Sequence, residues 1–377
     1  MNKEIKSFRF SAEDEAPLKI IVNSLAELSA AATYRDYGKH GIIEEVTIDN
    51  YAETNEKVKK AIVTFAAEKA GMEVPQTATD MAYAKDNTIF VSVLNTINTR
   101  ALGEMMIRYT SPQLDRLAEI ETIGVGESRS YEIDTKALPI AQKATYGSNV
   151  TMVPSYAKSS ITLSPKPYSL GVSLDFIRII ANGYDYGRAV ARVYAGMLFA
   201  QYKLVVSRIF DTSILNGTPL YQQNFSGAAF TQLADDIGML NGTSSEDVTA
   251  LGTRVAWNAI SALATQGGFT TKDDYIRNAY LQKVYGVDAM ILDQFTNLSA
   301  PFNNTNAAGL RAIPNNLIVL VASTDKPVKL VREDYIRVIE TPANDNNLNR
   351  MEYSYFQSFD AAIATASYFG LQGTQTA

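Results

Sequence analysis

The chain has 377 residues, of which 46% are hydrophobic and 20% are charged. This composition excludes intrinsic disorder and predicts a globular protein with a sizeable core, in one elaborate domain or two intertwined ones. No apolar run reaches the length that a bilayer span requires, and the first residues lack the hydrophobic stretch of a secretory signal. We therefore expect no membrane association, and we expect the protein in the cytoplasm when it is made.

Residues that usually carry chemistry are scarce. Cysteine is absent, which excludes disulfides, thiolate nucleophiles and cysteine zinc sites. The single histidine, His40, lies in a predicted polar loop and has no second imidazole to act with. The sequence contains no P-loop, no His-Glu-x-x-His and no Gly-x-Ser-x-Gly motif. The sequence therefore predicts no catalytic residue, no metal site and no cofactor.

Two acidic pairs leave an enzyme as an alternative. Asp235 with Asp236, and Asp273 with Asp274, could serve general acid–base or metal chemistry in a pocket of an α/β hydrolase or transferase. Adjacent residues on a helix point in different directions, so a solvated helix face is the favoured interpretation. A bound metal or a clustered pair of carboxylates with raised pKa would favour the enzyme.

The charge balance bears on nucleic acid binding. Lysine and arginine number 34 against 40 acidic residues, so the net charge is -6, and neither end carries a basic arm. Tight sequence-independent binding needs clustered cations that replace phosphate counterions. The sequence therefore disfavours the basic-armed coat proteins that condense RNA, although a container can still hold DNA mechanically.

Helices are predicted in the first 110 residues. After an arm, Asp14 is a candidate N-cap, and Pro17 is tolerable only in the first turn. Five apolar residues then repeat at helical spacing: Leu18, Ile21, Val22, Leu25 and Leu28. A β-like run follows at 43–48, then a helix from Thr54 to Ala70 that Gly71 ends, and a third helix from Thr88 to about Tyr109.

Strand-like sequence follows at 117–123, 128–134 and 151–163, with Gly124 to Glu127 as a hairpin turn or bulge. Together these segments predict a long two-stranded excursion. A ribbon of two strands is only marginally stable in water by itself. It therefore needs a partner surface, on the same chain or on a neighbour.

A long helix is predicted from about Tyr186 to Ser213, a rod of roughly 40 Å. Its basic side chains are Arg188, Arg192, Lys203 and Arg208. They could form a DNA-facing stripe on the inner face of a container, but a solvated helix surface is the favoured interpretation.

Residues 216–324 predict a mixed α/β subdomain, since helices alternate with apolar strands. Helices are expected at 255–265, which includes Trp257, and near 272–285. Strands are expected at 289–292 and 317–321. Strands are predicted again at 328–331, at 335–339 and in a run from 349 to 369, with a turn at 344–347.

The order of these parts resembles the major capsid protein family of tailed double-stranded-DNA phages. Leu114 to Leu117 through Gly126 to Ser128 resemble the entry to that family's extended loop, and Tyr168 to Ile177 resemble the strand and short helix before its long "spine" helix. Val190 to Asp211 resemble the spine helix itself. Pro327 to Ile339 and Tyr368 to Gly370 resemble the closing strands.

The resemblance implies an α+β, Hong Kong-type capsid fold divided into six parts. These are an N-terminal arm with helices (1–85), a peripheral-domain entry (86–116), an extended β-hairpin loop (117–167), a peripheral domain with the spine helix (168–215), an axial α/β domain (216–324) and closing peripheral strands (325–377). The first part departs from the family pattern, and its two helices could form a longer arm or clamp a neighbouring subunit.

The resemblance also implies a structural function. Copies of the chain would form hexamers and pentamers of an icosahedral shell around double-stranded DNA, assembled in the host cytoplasm with scaffolding, portal or decoration proteins as further partners. The loop would contact a neighbouring subunit through Lys136, Lys143, Tyr146, Pro154, Tyr156 and Lys158. Some family members join subunits by a Lys–Asn isopeptide bond, but nothing here aligns such a pair. An encapsulin-like nanocompartment has the same fold and is the nearest alternative.

Overall fold

The computed structural model describes residues 10–37, 43–109, 111–133, 159–175, 184–210, 219–265, 283–292, 294, 311, 313–322, 326, 328–341, 350–363 and 369–375. Its helices are α1 (Ala12–Tyr37), α2 (Tyr51–Ala70), α3 (Ala78–Ala84), α4 (Thr88–Arg108), α5 (Pro112–Leu117), α6 (Tyr186–Phe210), α7 (Gly227–Asn241) and α8 (Arg254–Thr265). Its strands are β1 (Ala118–Ile123), β2 (Arg129–Ile133), β3 (Ser159–Leu163), β4 (Lys166–Asp175), β5 (Pro219–Asn224), β6 (Val248–Gly252), β7 (Lys283–Val284), β8 (Val287–Ile291), β9 (Leu317–Ala322), β10 (Val328–Thr341), β11 (Arg350–Ile363) and β12 (Phe369–Gln375). None of the helices described there is long and apolar enough to cross a membrane.

Helix α1 lies at the centre of a helical core. From Leu28 to Thr33 every residue is buried, which is typical of a helix enclosed on all sides. It packs against α2, α4 and α6 in one hydrophobic cluster. Glu15 pairs with Arg100, and Asn23 accepts a hydrogen bond from Arg108, so α1 and α4 run parallel. Helices α1, α2 and α4 are therefore part of the folded body, and α1 and α2 do not form the longer arm that the sequence left open for them.

The predicted N-terminal helices are confirmed, but the start of α2, the start of α1 and the run at 43–48 differ from the prediction. Helix α2 ends at Gly71 as predicted, with φ 64°, but begins at Tyr51. Helix α1 begins at Ala12, so Asp14 lies in the first turn, where its carboxylate accepts from the Ser11 N–H, and Pro17 lies one turn further on. The 43–48 run is irregular chain, because it pairs with no strand among the described residues.

A four-stranded sheet has the order β1-β10-β11-β4, with β1 parallel to β10 and the other pairs antiparallel. Its strands contact α4 and α6. Strand β1 belongs to this sheet and not to the two-stranded excursion, so the prediction that the extended loop begins at 117 is wrong. Strand β10 is one strand with a bulge between Arg332 and Ile336, where two strands were predicted.

A six-stranded sheet has the order β5-β12-β9-β6-β8-β7. One face packs on α7 and α8 around Trp257, and the other packs on the end of α6 and on the four-stranded sheet. The prediction of a mixed α/β subdomain is confirmed for the described part of 216–324. The helix expected near 272–285 is wrong at its end, since residues 283–284 are β7, and residues 272–282 lie outside the described part.

Strand β12 corrects the C-terminal prediction. It pairs with β5 and β9, so residues 369–375 complete the six-stranded sheet instead of closing the peripheral one. Its inward Phe369 and Leu371 lie in the cluster that joins the two sheets. The chain therefore crosses from one sheet to the other between β11 and β12.

Candidate assembly interface

Strands β2 and β3 form a separate two-stranded sheet, which we call the hairpin. Tyr131 lies opposite Ile161, and both are half-buried, whereas Ser130 lies opposite Thr162 on the other face, and both are exposed. Because side chains alternate across a strand, the hairpin has one partly apolar face and one polar face.

Glu121 of β1 fixes the base of the hairpin. Its carboxylate pairs with Arg129 at 3.0 Å and accepts the Tyr131 hydroxyl proton at 2.7 Å. Burial, and then the bond to Glu121, raise the pKa of Tyr131 above its ordinary value, so this hydroxyl stays a donor at neutral pH. The predicted turn at 124–127 is confirmed: Gly126 has φ 77° and donates its N–H to Glu333.

The side chains predicted to contact a neighbour, Lys136, Lys143, Tyr146, Pro154, Tyr156 and Lys158, lie outside the described residues. So do His40, the pair Asp273 and Asp274, and the turn predicted at 344–347. Their placement stays a prediction.

The four basic residues of α6, which is the predicted spine helix, do not share one face. From the helical repeat, Arg188, Arg192 and Lys203 fall within about 60° of one another, and Arg208 lies on nearly the opposite side. Arg188 pairs with Asp36 of α1 at 2.7 Å, and Arg208 donates to the Ala361 carbonyl at 2.9 Å. Arg192 and Lys203 are exposed on the surface of α6. Two of the four predicted inner-face cations therefore connect α6 to its own chain.

The start of α6 is held by residues of other helices. Asn55 of α2, which is buried, accepts from the N–H groups of Tyr186 and Gly187 at 3.1 and 3.4 Å. Asp185 accepts from the Arg188 N–H at 2.8 Å and from the Tyr51 hydroxyl at 2.6 Å. The role of Asn55 as an acceptor at the start of α6 could not be predicted, because no local pattern links it to a helix about 130 positions later.

Arg332 is a buried cation that the sequence analysis also missed. It is 4% exposed, and it donates to the Met106 carbonyl at 2.6 Å and to the Thr122 hydroxyl at 3.3 Å. Met106 lies in the last turn of α4, where carbonyls lack helical partners and the helix dipole favours a positive charge. Burial lowers the pKa of Arg332 below its ordinary value. Its guanidinium joins α4 to β1 and β10.

The described acidic pair lies on the surface of α7, where Asp235 is exposed and Asp236 is half-buried. Asp235 lines a depression of about 210 Å³ together with Glu246 and Tyr285. Within the described ranges, no three histidine, cysteine or acidic side chains are grouped to hold a metal ion. The solvated helix face remains the favoured interpretation of this pair.

An exposed hairpin, a long helix on a four-stranded sheet, and a second mixed sheet are the features that the resemblance to the α+β Hong Kong-type capsid fold predicted. A family model agrees: it matches residues 24–372 and describes the "SPbeta prophage-derived putative capsid protein YonB". The chain belongs to this capsid protein family. The resemblance to phage major capsid proteins is thereby confirmed.

Solved structures include distant likenesses. The capsid of the cyanophage P-SCSP1u is 13% identical, with a TM-score of 0.47, over 70% of this chain and 88% of that chain. The capsid of a native GTA particle is 11% identical, with a TM-score of 0.48, over 70% and 90%. The SrpI encapsulin of Synechococcus elongatus PCC 7942 is 12% identical, with a TM-score of 0.44, over 71% and 90%. No curated protein matches the chain.

Proposed function

We propose that this chain is the major capsid protein of a tailed phage, and that its copies form the hexamers and pentamers of an icosahedral shell enclosing double-stranded DNA. Membership of a capsid protein family supports the structural, non-enzymatic role. The observation that carries the assembly proposal is the hairpin, which pairs with itself and has few contacts with the rest of the described body.

One face of the hairpin is not fully buried by the rest of the described residues. A two-stranded ribbon is marginal in water without packing on one face. Here the face of Tyr131 and Ile161 is only half-buried, although Leu163 at its base is buried. We propose that a second copy of the chain covers this face, with the predicted loop side chains from Lys136 to Lys158 extending the contact. The six-stranded sheet would then converge on the capsomer axis.

DNA would be held by enclosure instead of by tight binding. The net charge of -6 opposes phosphate, and Arg188 and Arg208 are engaged within the chain. Arg192 is exposed on α6, and we propose it as a candidate for a contact with packaged DNA. Scaffolding, portal and decoration proteins are proposed as further partners, and assembly would take place in the host cytoplasm.

Two neighbouring substitutions test the assembly proposal. Ile161→Lys places a charge on the half-buried face of the hairpin, and Thr162→Lys places the same charge on its exposed face. We expect the first to lower the yield of closed particles at least about tenfold and the second to leave it near wild type, as scored by sedimentation and negative-stain microscopy. Thermal unfolding of each monomer checks the fold. Equal particle yields would contradict a contact through the Ile161 face.

The contents of the particles separate the two shell functions. A phage capsid would protect double-stranded DNA from nuclease during an infection or prophage induction. An encapsulin-like compartment would instead copurify with a cargo protein and no DNA. Mass spectrometry and nuclease-protection assays on the same purified particles distinguish the two outcomes.

A further inference from the structure

We infer that α1 and α2 form a clasp on the start of the spine helix α6, so that the first turn of α6 is ordered only while these two helices are docked. The clasp consists of Arg35 and Asp36 of α1, Tyr51 and Asn55 of α2, and Asp185 and Arg188 at the start of α6. This inference goes beyond the assembly function and does not depend on it.

The first argument concerns the backbone donors of α6. The first N–H groups of a helix have no partner within the helix and need an acceptor from elsewhere. Those of Tyr186 and Gly187 are both taken by the Asn55 side-chain oxygen, and that of Arg188 by Asp185. Asn55 also donates to the Tyr184 carbonyl at 2.9 Å. If α2 moves away, two buried donors lose their acceptor, and the first turn of α6 loses its support.

The second argument concerns the ionic contacts. Asp185 also binds Arg35 at 3.1 Å, and Asp36 binds both Arg35 at 3.1 Å and Arg188 at 2.7 Å. The Arg35 guanidinium lies 4.6 Å from the centre of the Tyr51 ring. Two carboxylates therefore hold two guanidinium groups between α1 and the start of α6. Glu56 and Lys60 line the adjoining depression of about 580 Å³ together with Arg35 and Asp185.

The third argument is the close approach of the helices. A Cβ atom on Gly187 would lie 2.7 Å from Leu28 of α1 and 2.9 Å from the Tyr51 hydroxyl. The docked arrangement leaves no space between α1, α2 and the first turn of α6. The three helices are therefore expected to separate at this point only as a unit.

Hydrogen exchange measured by mass spectrometry on the full chain tests the clasp. The substitution Asn55→Ala should lower the protection of the amides of residues 186–188 at least about tenfold at pH 7. The control Glu53→Gln removes an exposed i,i+4 pair with Lys57 on the same helix and should leave these amides unchanged. Unchanged protection in Asn55→Ala, or an equal loss in the control, would overturn the inference.

A second variant tests the ionic contacts without removing a cap. Asn also serves as an N-cap, so Asp36→Asn with Asp185→Asn keeps the acceptors but not the charges. At pH 7 the protection of residues 186–188 relative to α7 should fall several-fold in this double variant. Unchanged protection of these amides, or an equal fall in α7, would overturn the inference.

Discussion

The helical core around α6 is buried within the chain, whereas the hairpin β2–β3 has one half-buried face and one exposed face. In the helical core, α1 is buried on all sides over one and a half turns, and the donors at the start of α6 find acceptors on α2. The hairpin has one pair of strands, one carboxylate at its base and exposed residues on one face. Among the described residues, the helical core is complete, whereas one face of the hairpin stays half-buried, and this is the face that we propose a second copy covers.

The largest expected effect is in the helical core. Leu25→Ala deletes a fully buried side chain of α1 and should lower the free energy of unfolding by about 2–5 kcal/mol. Ile20→Ala, on the same helix but 67% exposed, should change it by no more than about 0.5 kcal/mol. Urea unfolding measures both. Equal small effects would mean that α1 is a detachable arm after all.

A smaller loss is expected where α1 and α6 touch. Gly187→Ala forces a methyl group against Leu28 and Tyr51 and should cost about 1–3 kcal/mol. The matched control is Gly103→Ala in α4, because no atom lies within 4 Å of its Cβ position. That control should be neutral or stabilise the protein by up to about 1 kcal/mol. The same sign of change in both variants would count against close packing at Gly187.

At the hairpin the expected effect on global stability is smaller still. Glu121→Gln removes the charge that holds Arg129 and weakens the bond from Tyr131, so amide exchange in β2 and β3 should rise several-fold while α6 is unchanged. Asp334→Asn removes an exposed carboxylate on β10 and serves as the control. Faster exchange throughout the molecule would show that the hairpin is not an independent unit.

The smallest effect concerns Asp80 at the start of α3. Its carboxylate accepts from the Thr77 and Gln76 N–H groups, and the first of these bonds is the main reason that its pKa lies below the usual 3.8. Because the folded pKa is the lower one, this contribution is present above pH 3.8 and is lost as the pH falls through the folded value. An NMR titration should give a midpoint below 3.8 for Asp80, and a midpoint above it would contradict these two hydrogen bonds.

Local patterns predicted the elements whose signals lie close together in the chain. Gly71 ended α2, the apolar repeat located α6, and the turn at Gly126 joined β1 to β2. Helix α7 was missed because it begins with the weak helix former Gly227, although Ser226 caps it and Gly242 ends it. The assignment of β12 to the second sheet depends on pairing with β9, about 50 residues earlier, which no local pattern encodes.

Only part of the candidate interface could be predicted from the sequence, because the rest also depends on contacts between residues far apart in the chain. The need of a two-stranded ribbon for a partner follows from its length and composition, so the hairpin was expected. The engagement of Arg188 by Asp36 and of Arg208 by β11 was not expected, because it depends on how α1 and β11 dock on the helix. A basic residue on a helix surface looks the same in sequence whether it faces solvent, DNA or its own chain.

The most direct test of the account is cryo-electron microscopy of the purified, assembled protein at a resolution that traces the chain. The account predicts closed icosahedral shells in which the Tyr131 and Ile161 face of each hairpin lies on an adjacent subunit, while α1 stays packed on the α6 of its own chain. Shells in which the hairpin folds back onto its own subunit would contradict it, as would a protein that stays monomeric under all assembly conditions.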